Sequence, residues 1–239
     1  MRSPTEQLKS AAVSFLRVWP VLFLLLVVFE NSLYVVANSP AGHLHQGLGI
    51  NERRQAEQRL WELGYWVGPI DGKFNSASRQ ALIAFQQVEG RARTGNLTST
   101  ELNALLLANR PRPRFAGYGH IEIDLTRQVL FVIDETGTVS RILTVSTGNE
   151  GRYVDHGQIH RAHTPRGTFK VLRKINGWRL SSLGLLYYPS YIVNGLAVHG
   201  SLSVPTYPAS HGCIRVPMFA AKELSGLMPL GIEVSVYGS

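Results

Sequence analysis

The stretch His120-Ile-Glu-Ile-Asp-Leu125, followed closely by Val129-Leu-Phe-Val-Ile133, decides the fold of the larger part of this chain. Apolar and polar residues alternate in the first segment, and the second is rich in β-branched residues, so both predict β-strands joined by a polar turn. Further strands are predicted at 142–146, 168–172, 197–199 and 232–237. A helix is predicted at about 217–227, with proline in its first turn. We therefore predict a mostly β, sandwich-like domain over residues 118–238 with one or two helices.

Upstream of this domain the apolar residues recur at helical spacing. The predicted helices cover about 56–63, 76–88 and 98–107. The last of them opens with Thr98 and Glu101, a pair that predicts a capping box. We predict a small three-helix bundle over 51–108. The proline- and arginine-rich segment 109–117 excludes a regular helix and predicts an extended linker. The fold class is therefore multi-domain, with an α module followed by a mostly β domain.

The amino terminus has the pattern of a targeting segment. Basic residues precede the uncharged apolar run Val18–Phe29, which is shorter than the about 20 residues that a membrane span needs. We predict that residues 1–41 are a secretory signal, cleaved after Ala37 or Ala41, or else an uncleaved membrane anchor over 18–37. In both cases the remainder of the protein is exported to the cell envelope.

The composition and charge of the chain indicate which kinds of partner to expect. Hydrophobic residues make up 44% of the chain and charged residues 17%, as in ordinary globular proteins, and the formal net charge is +8. A positive balance favours an anionic partner, although a solvated surface explains it equally well. Because the sequence has no nucleic-acid recognition motif, nucleic acid is not a predicted partner. Oligomeric state is not predicted.

The segment from Val198 to Val216 carries the candidate chemistry: VHGSLSVPTYPASHGCIRV. It contains the chain's single cysteine, Cys213, which has no disulfide partner within an exported chain. A thiol nucleophile needs a base within hydrogen-bond reach and donors for the developing oxyanion. Both His199 and His211 could supply that base, and spacing alone leaves the choice open.

The order His-Gly…Ser-His-Gly-Cys-Ile-Arg, with Val145-Ser-Thr-Gly148 and Thr164-Pro-Arg-Gly-Thr-Phe169 upstream, resembles the signature of L,D-transpeptidases of the YkuD type. The resemblance implies that Cys213 is the nucleophile and His199 the general base, oriented by the backbone carbonyl of Gly200. It also implies substrate-positioning, site-bracing or oxyanion-side roles for Ser210, His211, Gly212 and Arg215. No cofactor and no metal are implied.

The helical module is similar to the peptidoglycan-binding module of the first family, through LxxLGYWxGPIDGKF and the later TGxLTxxEL. Together the two resemblances imply that the partners are peptidoglycan stem peptides and glycan. The implied reaction is a 3→3 cross-link made through a cysteine thioester, in cell-wall biogenesis. Hydrolysis by the same site, as an L,D-carboxypeptidase, is the alternative. Acylation by carbapenem-type β-lactams is also implied.

Two rival hypotheses come from other classes. The segment Asp155-His-Gly-Gln-Ile-His-Arg-Ala-His163 offers three histidines beside a carboxylate in a predicted loop, and zinc would use such ligands. A wall-binding protein without catalysis would explain the helical module but not the unpaired thiol. Trp61, Trp66 and Trp178 are predicted to pack in the core, with sugar stacking as the alternative.

Overall fold

Three helices precede the strands in the residues that the structure, a computed structural model, describes, namely 47–193 and 195–239. They are α1 (Ile50–Glu62), α2 (Ser76–Val88) and α3 (Ser99–Leu107). The Asn75 side chain caps α2 by accepting hydrogen bonds from two backbone N–H groups of its first turn. The Thr98 hydroxyl caps α3 by accepting from the Glu101 N–H at 3.2 Å. Because local capping and spacing define these helices, α2 and α3 have the predicted bounds.

The strands begin at His120, as predicted. They are β1 (His120–Asp124), β2 (Val129–Ile133), β3 (Val139–Thr144), β4 (Arg152–Asp155), β5 (Gln158–Arg161), β6 (Gly167–Lys170), β7 (Arg173–Lys174), β8 (Trp178–Ser181), β9 (Gly184–Val193), β10 (Leu196–Ser201), β11 (Ile214–Pro217) and β12 (Glu233–Tyr237). A fourth helix, α4 (Met218–Gly226), follows β11 directly. The strands β4, β5, β7, β8, β9 and β11 were not predicted.

Two mixed sheets form the mostly β domain. One has the order β3-β2-β1-β12-β6, with β1 and β12 parallel. The other has the order β11-β10-β9-β7, with β8 also paired to β9 and with β10 and β11 parallel. Side chains of both sheets and of α4 share one apolar cluster, which contains Ile123, Val198 and Leu224. The sandwich-like prediction for this domain therefore agrees with the observed layers.

The three amino-terminal helices pack on one another and also on the first sheet. Their apolar side chains, such as Leu60 and Phe85, lie in one buried cluster with Phe131 and Ile142 of the first sheet. Backbone hydrogen bonds join the module to the sheet as well, because Ile142 exchanges them with the loop after α1. A group of short helices buries little apolar surface alone, and the sheet supplies the missing partner.

The segment 109–117, predicted as a linker, has no helix or strand, but it is fixed at several points. The Arg110 guanidinium donates to the Glu62 carbonyl at the end of α1 and to the Val139 carbonyl of β3. Further along, the buried Glu122 carboxylate accepts two backbone N–H groups of the segment. The segment therefore braces the helices against the sheet.

The predicted signal or anchor lies outside the described residues. Within residues 47–193 and 195–239, no helix has the length and apolar character that crossing a membrane requires.

Candidate active site

The strands β10 and β11 bring His199 and Cys213 together. The two strands are parallel, with His199 opposite Arg215 and Val198 opposite Ile214, and Cys213 immediately precedes β11. Side chains two residues apart on a strand share a face, so His199, Cys213 and Arg215 all point to one side of the sheet. On that side they line a cavity of about 450 Å³. Parallel pairing has thus made neighbours of residues that are distant in sequence.

The imidazole of His199 is held in one tautomer. Its Nδ1 atom lies 2.9 Å from the carbonyl oxygen of Gly200. Because a carbonyl oxygen only accepts, Nδ1 carries the proton and Nε2 is left as the basic nitrogen. The side chain is 7% exposed, and this burial lowers its pKa below the ordinary histidine value, with the Arg215 charge acting in the same direction. His199 is therefore a neutral base at pH 7.

The thiol of Cys213 is held in its neutral form by the same environment. Burial raises its pKa above the ordinary value, while a hydrogen bond from the Ala197 backbone and the Arg215 charge partly offset that effect. The resting pair is therefore a thiol beside a neutral imidazole. Such a pair needs proton transfer to His199 as the sulfur attacks, which is general base catalysis.

The turn that presents the thiol is pinned by the hydroxyl of Ser210. That hydroxyl donates to the Cys213 carbonyl at 2.6 Å and accepts from the Gly212 N–H at 3.0 Å. Gly212 has φ +127°, and a Cβ there would lie 2.8 Å from the His163 carbonyl oxygen, so only glycine fits. Ser210 thus acts on the shape of the turn, since its hydroxyl is already engaged within the protein.

The second candidate base, His211, is exposed and belongs to the wall of the cavity. Its ring lies 4.6 Å from that of Tyr153 on β4, and Tyr153 stacks in turn on His160 of β5 at 5.5 Å. Burial, with the charges of Asp155 and Cys213, raises the pKa of the Tyr153 hydroxyl. His211 therefore attaches the hairpin β4–β5 to the turn that carries Cys213.

The histidine-rich segment considered for zinc is this hairpin rather than a loop. Its strands pair Tyr153 with His160, and His163 bonds to Glu150 at 2.7 Å. Throughout residues 47–193 and 195–239, no three histidine, cysteine or acidic side chains converge as metal ligands would. The hairpin instead contributes Tyr153 and His160 to the cavity.

Several residues of the site were not assigned a role from the sequence. Arg173 and Arg179 line the cavity from β7 and β8, and Tyr153 from β4. Their strands carry no clear apolar alternation, so nothing local marked them as wall residues. Thr164 contacts the turn before Cys213, and the Thr-Pro-Arg-Gly-Thr-Phe element was the signal that could have indicated it.

Comparisons with known proteins show which families the two parts of the chain match. The family model of the YkuD L,D-transpeptidase catalytic domain matches residues 118–236, and a peptidoglycan binding domain model matches residues 50–105. No curated protein matches the chain.

The solved structures that are similar to the chain include two L,D-transpeptidases. The first is an L,D-transpeptidase (residues 123–326) from Xylanimonas cellulosilytica, with 42% identity and a TM-score of 0.74 over 78% of this chain and 93% of that one. The second is an L,D-transpeptidase from Stackebrandtia nassauensis, with 22% identity and a TM-score of 0.48 over 78% of this chain and 91% of that one.

Proposed function

This chain belongs to the YkuD family of L,D-transpeptidases, and from that membership we propose that it forms 3→3 peptidoglycan cross-links through a thioester on Cys213. The observation that carries the proposal is the placement of the Cys213 thiol and the His199 imidazole on one face of two paired strands. The Gly200 carbonyl fixes the imidazole so that Nε2 can accept a proton.

In the first step, Cys213 Sγ bonds to the carbonyl carbon of the third stem residue, and its proton passes to His199 Nε2. The backbone N–H of Cys213 is the proposed donor to the resulting oxyanion. The carbon–nitrogen bond to D-alanine then breaks, and the imidazolium returns the proton to the departing amine. This leaves a thioester and free D-alanine.

In the second step, the side-chain amine of a neighbouring stem attacks the thioester. His199 takes the amine proton and passes it to the departing sulfur, which restores the thiol and forms the cross-link. Attack by water in place of the amine would make the enzyme an L,D-carboxypeptidase.

The charge of the cavity supports an anionic peptide substrate. Arg173, Arg179 and Arg215 line it, against the single carboxylate of Asp155. Stem peptides carry free carboxylates, which guanidinium groups bind through paired hydrogen bonds. We propose that these arginines hold the donor stem while its third carbonyl faces Cys213.

We also propose that residues 1–41 direct export to the cell envelope, as a cleaved signal or as an uncleaved anchor over 18–37. We propose further that the helical module binds the glycan of the wall. A separate cleft of about 360 Å³ supports glycan binding, since its lining includes Trp61, Trp66, Arg141 and Glu223. Trp61 is 53% exposed, contrary to the prediction of core packing. An exposed indole beside charged groups can stack on a sugar ring while the charges bind its polar substituents.

The test of the reaction is to incubate the full chain with disaccharide-tetrapeptide and to follow the products by mass spectrometry. Loss of D-alanine with formation of a dimer, absent in Cys213→Ala and His199→Gln, would support transpeptidation. His156→Gln is the matched control, because that histidine is 80% exposed and does not line the cavity. A carbapenem should add its mass to the wild-type protein but not to Cys213→Ala.

Tripeptide monomer without dimer would assign carboxypeptidase activity instead. Full turnover by Cys213→Ala would refute the cysteine mechanism altogether.

A further inference from the structure

The buried hydroxyl of Thr164 links two backbone segments directly behind the nucleophile. It accepts a hydrogen bond from the Gly148 N–H at 2.9 Å and lies 2.7 Å from the Gly212 carbonyl oxygen. The residue is 3% exposed and precedes β6, outside the segment that carries Cys213 and His199. We propose that Thr164 is a positioning residue that aims the backbone N–H of Cys213 at the oxyanion. This inference rests on the proposed acyl transfer.

The direction of these hydrogen bonds is unambiguous. A hydroxyl has one hydrogen and a backbone N–H can only donate, so the Gly148 N–H must donate to the Thr164 oxygen. The single hydroxyl proton is then directed to the Gly212 carbonyl, which can only accept. The Gly148 N–H, the Thr164 hydroxyl and the Gly212 carbonyl therefore all have hydrogen-bond partners. A buried polar group without a partner would lower the stability of the fold.

The Gly212 carbonyl and the Cys213 N–H belong to the same peptide unit. A trans peptide is planar and its C=O and N–H point in opposite directions. Because the carbonyl is bonded to Thr164 in the interior, the N–H must point away from Thr164. Within residues 47–193 and 195–239, that N–H donates to no protein acceptor, so it is free for a substrate oxygen.

Thr164 is the side chain whose hydrogen bond to the Gly212 carbonyl orients this peptide unit. The carbonyl oxygen of Cys213 itself accepts a hydrogen bond from the Ser210 hydroxyl. The Gly148 backbone is also tightly enclosed, since a Cβ there would lie 2.3 Å from the Ala162 carbonyl oxygen. The segment therefore holds Thr164 against the turn. Loss of the hydroxyl would leave the Gly212 carbonyl without its partner, and the peptide unit could then tilt between the two points that Ser210 still holds.

The experiment compares Thr164→Val, which is nearly isosteric but has no hydroxyl, with Thr164→Ser, which keeps it. In the full chain we expect kcat for tetrapeptide turnover to fall about 10- to 100-fold in Thr164→Val, with KM changed less than threefold, because a misaligned oxyanion donor costs transition-state stabilisation. Thr164→Ser should recover most of kcat.

A second reaction separates positioning from general damage to the site. Alkylation of Cys213 by iodoacetamide displaces iodide and develops no oxyanion, so its rate should be the same in wild type and Thr164→Val. The inference would be overturned if the alkylation rate and kcat fell together in Thr164→Val. It would also be overturned if folded Thr164→Val kept the kcat of the wild type. If the valine variant does not fold, Thr164→Ala against Thr164→Ser makes the same comparison.

The outcome also separates this inference from the proposed function. Wild-type protein that is alkylated normally but does not convert tetrapeptide would refute the proposed reaction. Wild-type turnover that Thr164→Val retains in full would refute the role of Thr164 alone.

Discussion

At the residue scale, burial shifts the pKa values of the two side chains that are proposed to react. It raises the pKa of the Cys213 thiol and lowers that of the His199 imidazole, so each group is shifted toward its neutral form. An ion pair of thiolate and imidazolium would require the opposite shifts. We therefore expect the resting site to hold little thiolate, and the proposed attack to depend on transfer of the thiol proton to His199.

These shifts predict a particular pH dependence. Activity requires neutral His199, whose pKa lies below 6.5, so kcat/KM should rise with an apparent pKa below 6.5 and stay level through neutral pH. Iodoacetamide alkylation in the absence of substrate reports thiolate, and its rate should keep rising with pH through the neutral range without a plateau, because burial raises the pKa of the Cys213 thiol above its ordinary value. The two profiles, measured on one preparation, check the prediction.

The pH profile of alkylation would also reveal the opposite arrangement of charges. A plateau of rapid alkylation at pH 6 to 7 would mean that the resting enzyme holds a thiolate beside imidazolium. Cys213→Ala serves as the control for alkylation at other groups.

At the scale of elements, the end of α1 and the loop after it form a candidate glycan surface. Trp61 lies in the last turn of α1, and Trp66 follows in the loop, where the Arg141 guanidinium lies 5.7 Å from the centre of its ring. The backbone N–H of Trp66 donates to Ile142 of β3. Strand pairing thus fixes the loop that carries the buried indole of Trp66, as predicted, beside the helix that carries the exposed indole of Trp61.

Replacement of Trp61 tests this surface. Trp61→Ala should weaken retention on purified peptidoglycan about tenfold, equivalent to about 1.4 kcal/mol, because the stacking face is lost. Its turnover of soluble tetrapeptide should not change, since Trp61 does not line the catalytic cavity. Sedimentation with purified sacculi measures the first quantity and mass spectrometry the second.

The matched control is Trp178→Ala, because Trp178 is 51% exposed but lies on β8, outside the glycan cleft. Equal retention of Trp61→Ala and wild type would rule out this cleft as the binding surface.

At the scale of the whole molecule, the helices and the first sheet share one buried core. The buried cluster that joins them contains Phe85, whose ring packs edge-to-face on Tyr65 at 5.7 Å between centroids. Removal of the helices would expose Val129, Phe131 and Ile142 to water. We therefore expect the helical module and the sheet to unfold together rather than as two independent units.

Thermal unfolding checks this conclusion. Phe85→Ala should destabilise the protein by about 3–5 kcal/mol, because it leaves a cavity in the shared core. The loss of helical circular dichroism and the exposure of the Cys213 thiol should shift to the same lower temperature in this variant. Leu107→Ala, at a position that is 84% exposed, should leave both midpoints in place. Two separate transitions would show that the modules unfold independently.

Local sequence patterns were sufficient to predict some helices and strands but not others. The helix α2 follows from its spacing and its Asn75 cap, and β1 and β2 from their apolar residues. The hairpin β4–β5 was missed because its strands are short and largely exposed, and β9 because Pro189 interrupts it. Such strands are stabilised by their neighbours rather than by their own composition.

The sequence by itself determined the order of the α and β parts, the lone cysteine and the His-Gly pairs around it, since these are properties of local composition and spacing. Only the tertiary structure decided that His199 shares a face with Cys213 while His211 stacks on Tyr153, and that the helices share a core with the sheet. The physical reason is that strand pairing and side-chain packing join residues far apart in the chain, and no local pattern records which partner a surface will meet.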